Sequence, residues 1–214
     1  MATELATLEA SACDSDLESE GVWEFRISRE LYDQMIREGI FTPRDRIELL
    51  EGRLYEMSPM GNPHRAVLNH INRWLVKTVP EDWHINNQTP IALDEYSEPE
   101  PDFVIVRGTT RDYRDRHPAP ADIGLLVEVS HASLAYDRKR KLPAYAEAGI
   151  PEYWIINLVE NVVEIRTDPF PREGEARGYY ATTREYRRDH HVPLRLDGKA
   201  VSEIRVDDLL LLSD

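Results

Sequence analysis

Residues 99–106 read PEPDFVIV, a proline-flanked acid that runs directly into four residues suited to a buried strand. Pro101 fixes its own φ and biases Glu100 toward an extended conformation, while Phe103, Val104, Ile105 and Val106 are residue types that fill a pleated, buried surface. The stretch predicts a core strand with the Asp102 carboxylate held rigidly at its edge. Local grounds leave two readings open: Asp102 caps a turn or strand start, as Asp near proline commonly does, or it is positioned to hold a ligand.

The next strand-like run decides what Asp102 would meet. In LLVEVS, residues 125–130, Glu128 sits among Leu125, Leu126, Val127 and Val129. An acid so surrounded is costly unless it is paired or coordinates something. Strand parity puts Leu126, Glu128 and Ser130 on one face and Val127 and Val129 on the other. The alternative is that Glu128 lies on the exposed face of an amphipathic edge strand. If the two strands are neighbours, as consecutive strands commonly are, Asp102 and Glu128 bring two carboxylates to one spot. Such a pair suits a hard cation, Mg²⁺ or Mn²⁺, with the Val129 backbone carbonyl as a third ligand and water and phosphate oxygens completing the octahedron. A cation there polarises a phosphoryl oxygen and lowers the pKa of a bound water, making an attacking hydroxide.

Around these strands the sequence predicts a single α/β domain. In SRELYDQMIREG (28–39), Ser28 caps a short helix that presents Leu31, Met35 and Ile36 on one face and stops at Gly39. RIELLEGRLYEM (46–57) predicts a hairpin around Glu51-Gly52. HRAVLNHINRWLVKTV (64–79) predicts a second helix opened by Pro63, with Val67, Leu68, Ile71 and Leu75 on its buried face. WHINNQTPIAL (83–93) is strand-like, and RGTTRDYRDRHPAPAD (107–122) is a polar loop. YDRKRKLPAYAEAGI (136–150) reads as a helix starting near Lys139, so that Pro143 falls in its first turn, and ending at Gly149. EYWIINL and VVEIR, joined by VEN, predict a strand hairpin (152–166). Residues 168–182 read as loop, and TREYRRDHHVPLRL (183–196) and VDDLLLL (206–212) as short peripheral elements. The order of elements predicts one central mixed sheet flanked by helices.

Composition narrows the function. The 214-residue chain carries a net charge of −14, and its first 20 residues hold six acids without Lys or Arg. Residues 1–22 read as a poorly ordered acidic tail and residues 23–214 as one domain. An acidic body argues against broad, charge-driven nucleic-acid binding but allows a local basic patch. The single Cys13 permits no intrachain disulfide, which fits the cytoplasm, and neither a membrane-spanning run nor a signal peptide is read. Phosphate-binding glycine loops, Cys-pair zinc spacings and a GxSxG elbow are missing, so P-loop and serine-hydrolase chemistry lose their support.

The order Pro101-Asp102, then Glu128-Val129-Ser130, resembles the PD-(D/E)xK nuclease superfamily. The stretches IELLEGRLYEMSP, PEPDFVIV, LLVEVS and YDRKRKLPAYAEAGIPEYWIIN, in that order, are similar to its Uma-type family of restriction-endonuclease-like proteins. The resemblance implies a restriction-endonuclease-like α/β core and a metal-dependent phosphodiesterase site. One position departs from the pattern: Ser130 stands where the superfamily has lysine, and a hydroxyl cannot supply that charge. In Uma-type relatives the lysine comes from the following helix, where Lys141 is the matching position and Lys139 its competitor. Asp137, Lys141 and Tyr145 fall on one helical face, and Lys141 could orient the attacking water or stabilise phosphoryl charge.

Glu48 and His64 occupy further family-like positions. Glu48 adds a metal or water ligand or is a solvated hairpin acid; His64 contacts phosphate, acts as an acid or is structural. Arg107, Arg111, Arg114 and Arg116, interleaved with Tyr113, either grip a DNA backbone or belong to a solvated loop that Asp112 and Asp115 dilute. The adjacent His190 and His191 form no ligand spacing. The expected activity is metal-dependent nuclease action, on DNA, by a chain that forms a homodimer when two strands must be cut. The alternative is a catalytically inactive nuclease-fold protein acting as a binding or assembly module, favoured by the acidic body and the displaced lysine. A third reading makes the acid pair a structural polar cluster.

Overall fold

A computed structural model describes residues 23–42, 44–171 and 177–212. The acidic segment 1–22 lies outside the described residues. Helix α1 (Arg29–Arg37) is followed by the hairpin β1 (Ile47–Leu50) and β2 (Arg53–Glu56), helix α2 (Asn62–Thr78), and strands β3 (Trp83–Asn87), β4 (Phe103–Arg107) and β5 (Ile123–Ser130). A helical segment then runs through α3 (Leu134–Tyr136), a π-turn over Asp137–Lys141 and α4 (Leu142–Glu147). Strands β6 (Glu152–Asn157), β7 (Val162–Phe170), β8 (Tyr179–Tyr186), β9 (His191–Leu196) and β10 (Lys199–Arg205) and helix α5 (Val206–Leu209) complete it.

The central sheet has six strands in the order β3-β4-β5-β6-β7-β8. Only β5 and β6 pair in parallel, joined by the α3–α4 crossover; the other neighbours are antiparallel. This is the mixed, helix-flanked sheet the sequence predicts. Phe103 pairs with Val127 and Val104 with Leu126, so β4 and β5 lie side by side and start Asp102 beside Glu128. One face of the sheet packs on α2, the β9–β10 hairpin and α5, through Phe103, Val127, Trp154, Ile71 and Val192. The other packs on α4 and the β1 region, through Val104, Leu126, Tyr145, Tyr153 and Leu50.

Local sequence explains several elements directly. Glu51 and Gly52 both take positive φ, 53° and 78°, the two-residue turn whose twist suits a hairpin. Val67, Leu68, Ile71 and Leu75 are the buried residues of α2, as their spacing predicts. Gly124 sits where the β4–β5 register shifts, and a Cβ there would lie 2.4 Å from the Trp83 ring. The bulge lets the indole cover the strand.

Other expectations are corrected. The buried residue of α1 is Tyr32, whose hydroxyl donates to the Ile47 carbonyl at 2.6 Å, whereas Ile36 is exposed. Leu31 and Met35 are half-buried beside it. The crossover helix begins at Leu134, five residues before Lys139. Pro143 has no N–H to donate, and the π-turn widens the ladder just ahead of it, with the Leu142 N–H bonding to the Asp137 carbonyl. Residues read as loop extend β7 to Phe170 and begin β8 at Tyr179. The terminal segments are not peripheral, because Val192, Leu194, Val206 and Leu209 are fully buried in the core. Among the described residues no helix is long and apolar enough to cross a membrane.

Candidate active site

The two central strands and the helices around them converge on a cleft of about 930 Å³, lined by Glu48, His64, Asp102, Glu128, Asp137 and Lys141 among others. Asp102 stands one residue before β4. Its Oδ2 accepts the Val129 N–H at 2.8 Å and lies 3.3 Å from His64 Nε2, and its Oδ1 accepts from Gln88 Nε2 at 3.2 Å. Two donors, from β5 and the β3 end, and the His64 ring from α2 thus fix one carboxylate. The N–H and C=O of a strand residue point to the same side, so the Val129 carbonyl also faces the Asp102 side, beyond the last β4–β5 pair.

Glu128 lies on the opposite face of β5 from Val129, as parity predicts, and is buried, not on an exposed edge. Its Oε1 accepts from Lys141 Nζ at 2.9 Å and from the Tyr145 hydroxyl at 3.1 Å. Lys141 Nζ also stands 3.1 Å from Glu48 Oε2, which accepts the Glu100 N–H at 3.1 Å. Asp137 closes the group, taking the Ser130 and Ser133 hydroxyls on Oδ2 at 2.6 and 2.7 Å. Asp137, Lys141 and Tyr145 therefore do share one face, even through the π-turn.

The electrostatics follow from burial and a shortage of positive charge. Burial pushes the Glu128 carboxyl well above its ordinary pKa, reinforced by Asp137, Asp102 and Glu48 and only partly opposed by Lys141. Asp137 is raised for the same first reason, although Lys141 and its two hydroxyl donors resist. Burial opposes the Lys141 charge, but Glu128, Glu48 and Asp137 outweigh it and hold the ammonium well above its usual range.

The hard oxygen donors present suit Mg²⁺ or Mn²⁺: the Asp102 and Glu128 carboxylates and the Val129 carbonyl. Asp137 Oδ1, buried in the same cleft, has no hydrogen-bond partner among the described residues, and carboxylates outnumber the ammonium. Among the described residues no group of three or more His, Cys, Asp and Glu side chains forms a metal cluster.

The structure separates the remaining sequence candidates. Glu48 is buried at 2% exposure as the second partner of Lys141, so it is no solvated hairpin acid. His64 reaches Asp102 from the start of α2. Lys139 is exposed and outside the cleft. The arginine loop leaves from the far end of β4, ~17 Å from Asp102 at the rise of an extended strand. There Arg107 pairs with Asp197, Arg114 with Asp115 and Arg116 with Asp122. Sequence reasoning missed Gln88, Ser133 and Glu100. Gln88 has a positive φ of 47°, a conformation that carries no signature in a polar run.

Comparison with known proteins agrees with this architecture. Residues 29–196 match the Uma2 family, described as "Putative restriction endonuclease". The chain belongs to that family of restriction-endonuclease-like proteins. A crystal structure from Anabaena variabilis ATCC 29413, a "putative nuclease belonging to DUF820", superposes with a TM-score of 0.60 at 12% identity, covering 84% of this chain and 96% of that one. At that identity the likeness concerns the fold. No curated protein matches the chain.

Proposed function

We propose that this chain is a metal-dependent nuclease that hydrolyses phosphodiester bonds of DNA. The observation that carries the reading is the meeting of Asp102, Glu128 and Lys141, from the start of β4, from β5 and from the π-turn, in one cleft. Family membership and the nuclease-like neighbour agree with it.

Asp102, Glu128 and the Val129 carbonyl would hold Mg²⁺ or Mn²⁺, which when bound polarises a phosphoryl oxygen and acidifies water. The chain's own groups do the rest. The Val129 N–H, Gln88 and His64 fix Asp102 in one orientation. The Lys141 ammonium stabilises negative charge gathering on the phosphoryl group. Glu48 and Glu128 aim that ammonium, while Tyr145 holds Glu128 from behind. Burial strengthens each of these interactions by excluding water.

Lys141 beside Glu128 supports catalysis over a binding module, which the displaced lysine and the acidic body favour. The test is cleavage of supercoiled plasmid and single-stranded DNA by purified protein with Mg²⁺ or Mn²⁺ against EDTA, with Asp102→Ala in parallel. Metal-dependent cleavage lost in the variant is the expected result; cleavage unchanged in Asp102→Ala and Glu128→Ala overturns the reading. No cleavage in any lane moves the conclusion to the binding-module alternative. Concerted cutting of both strands of a duplex with one site per chain would call for a homodimer, and sedimentation of a clean monomer at micromolar concentration would refute that part.

A further inference from the structure

Helix α2 stands apart from the chain around it. On a protein of net charge −14, its 17 residues contain Arg65, Arg73 and Lys77 and not one Asp or Glu. All three cations are exposed, and none makes an ion pair among the described residues. From Arg65 to Lys77 is ~18 Å of helix, and the same helix delivers His64 to Asp102 in the cleft. On one flank His70, Arg73, Trp74 and Lys77, spaced i, i+3, i+4 and i+7, border a groove of about 690 Å³ against the β9–β10 hairpin and α5. The groove also contains Glu203 and Asp208, and its Arg205 is engaged by Asp189 and Asp207. Its uncommitted positive charge therefore comes from α2.

We infer that the outer face of α2 and this groove carry the backbone of a single DNA strand toward the cleft, with Arg65, Arg73 and Lys77 on phosphates and Trp74 beneath a base. The inference rests on the nuclease reading for the identity of the strand. A cationic track with an aromatic platform is the chemistry by which unpaired strands are held. The recessed site points the same way: Asp102 is 8%, Glu128 5% and Lys141 1% exposed, and a lone strand reaches groups at that depth more readily than a duplex does.

The experiment is fluorescence anisotropy of a labelled 30-nucleotide single strand in EDTA, where the metal-dependent reaction does not run. Arg73→Glu/Lys77→Glu should weaken binding at least tenfold and reduce the salt slope by about 1.4, the loss of two phosphate contacts. Trp74→Ala should weaken it by on the order of tenfold. Arg184→Glu, on the exposed edge strand β8, should bind as wild type. Arg73→Gln/Lys77→Gln repeats the test with a milder change, and melting curves confirm that each variant is folded. Affinity within twofold of wild type in both double variants overturns the inference, as does equal loss in Arg184→Glu. A duplex of the same sequence bound as tightly through the same residues overturns the single-strand assignment. Because binding is read without metal, failure of the cleavage assay removes the nuclease reading and leaves this result standing, and the reverse also holds.

Discussion

Lys141 Nζ stands between two carboxylates, 2.9 Å from Glu128 Oε1 and 3.1 Å from Glu48 Oε2, with 1% of its side chain exposed. Removing it leaves both acids buried without their cation. Lys141→Ala should cost about 3–5 kcal/mol of stability and lower cleavage by about 10²–10³-fold. Lys139→Ala, an exposed change outside the cleft, should leave both within error. Denaturant melts and plasmid cleavage on the two variants decide between the lysines.

Cation binding should be visible without catalysis. A ligand that binds only the folded state at a hundredfold above its Kd stabilises by about 2.7 kcal/mol. Millimolar Mg²⁺ or Mn²⁺ should raise the melting temperature of the wild type, and the rise should vanish in Asp102→Asn and Glu128→Gln. A metal-induced shift retained in both would remove these residues from the ligand set.

Position 130 offers a direct test of where the lysine can come from. Ser130 shares the Glu128 face of β5 and is fully buried against Asp137. Ser130→Lys alone should destabilise by about 1–3 kcal/mol through overpacking. Combined with Lys141→Met, which vacates the space, it should recover cleavage about tenfold over Lys141→Met alone. Equal rates in the single and double variants would show that the strand position cannot supply the charge in this chain.

A second acid away from the cleft sets a pH dependence of stability. Burial, then the Asp33 charge, raises Glu98 to about 7 from an ordinary 4.5. The folded state thus prefers the protonated carboxyl. This contribution is fully present below about pH 4.5 and is lost as pH rises through about 7. Glu98→Gln should match the wild type near pH 4.5 and exceed it at pH 8 by up to about 3 kcal/mol. Glu152, also raised to about 7 by burial, keeps some of the slope in the variant. Chemical denaturation at the two pH values measures the difference.

Much of the site was legible because its parts obey short-range rules. Strand parity separated Glu128 from Val127 and Val129, neighbour pairing of β4 and β5 joined it to Asp102, and helical spacing grouped Asp137, Lys141 and Tyr145. The gaps have physical causes. Tyr32 buries itself through a hydroxyl partner 15 residues away, which no apolar stripe reports. Strand β8 exposes most of its residues at a sheet edge, so YYATTREY lacks a hydrophobic signature. The β9 run does alternate, with Val192, Leu194 and Leu196 inward, but His190, His191 and Pro193 masked the period. Gln88 reaches Asp102 through a left-handed backbone turn invisible to residue-type patterns.

The widened turn between Asp137 and Lys141 gives the winding of one helix control over a charge. Each residue advances an α-helix by about 100°. Deleting Lys139 alone would therefore swing the ammonium relative to Glu128 and Glu48 without altering the identity of any group in the cleft. In this chain the nitrogen's address is written in the azimuth of a helix, not in its distance along the strand from the glutamate, and a search keyed to that linear spacing would pass over it.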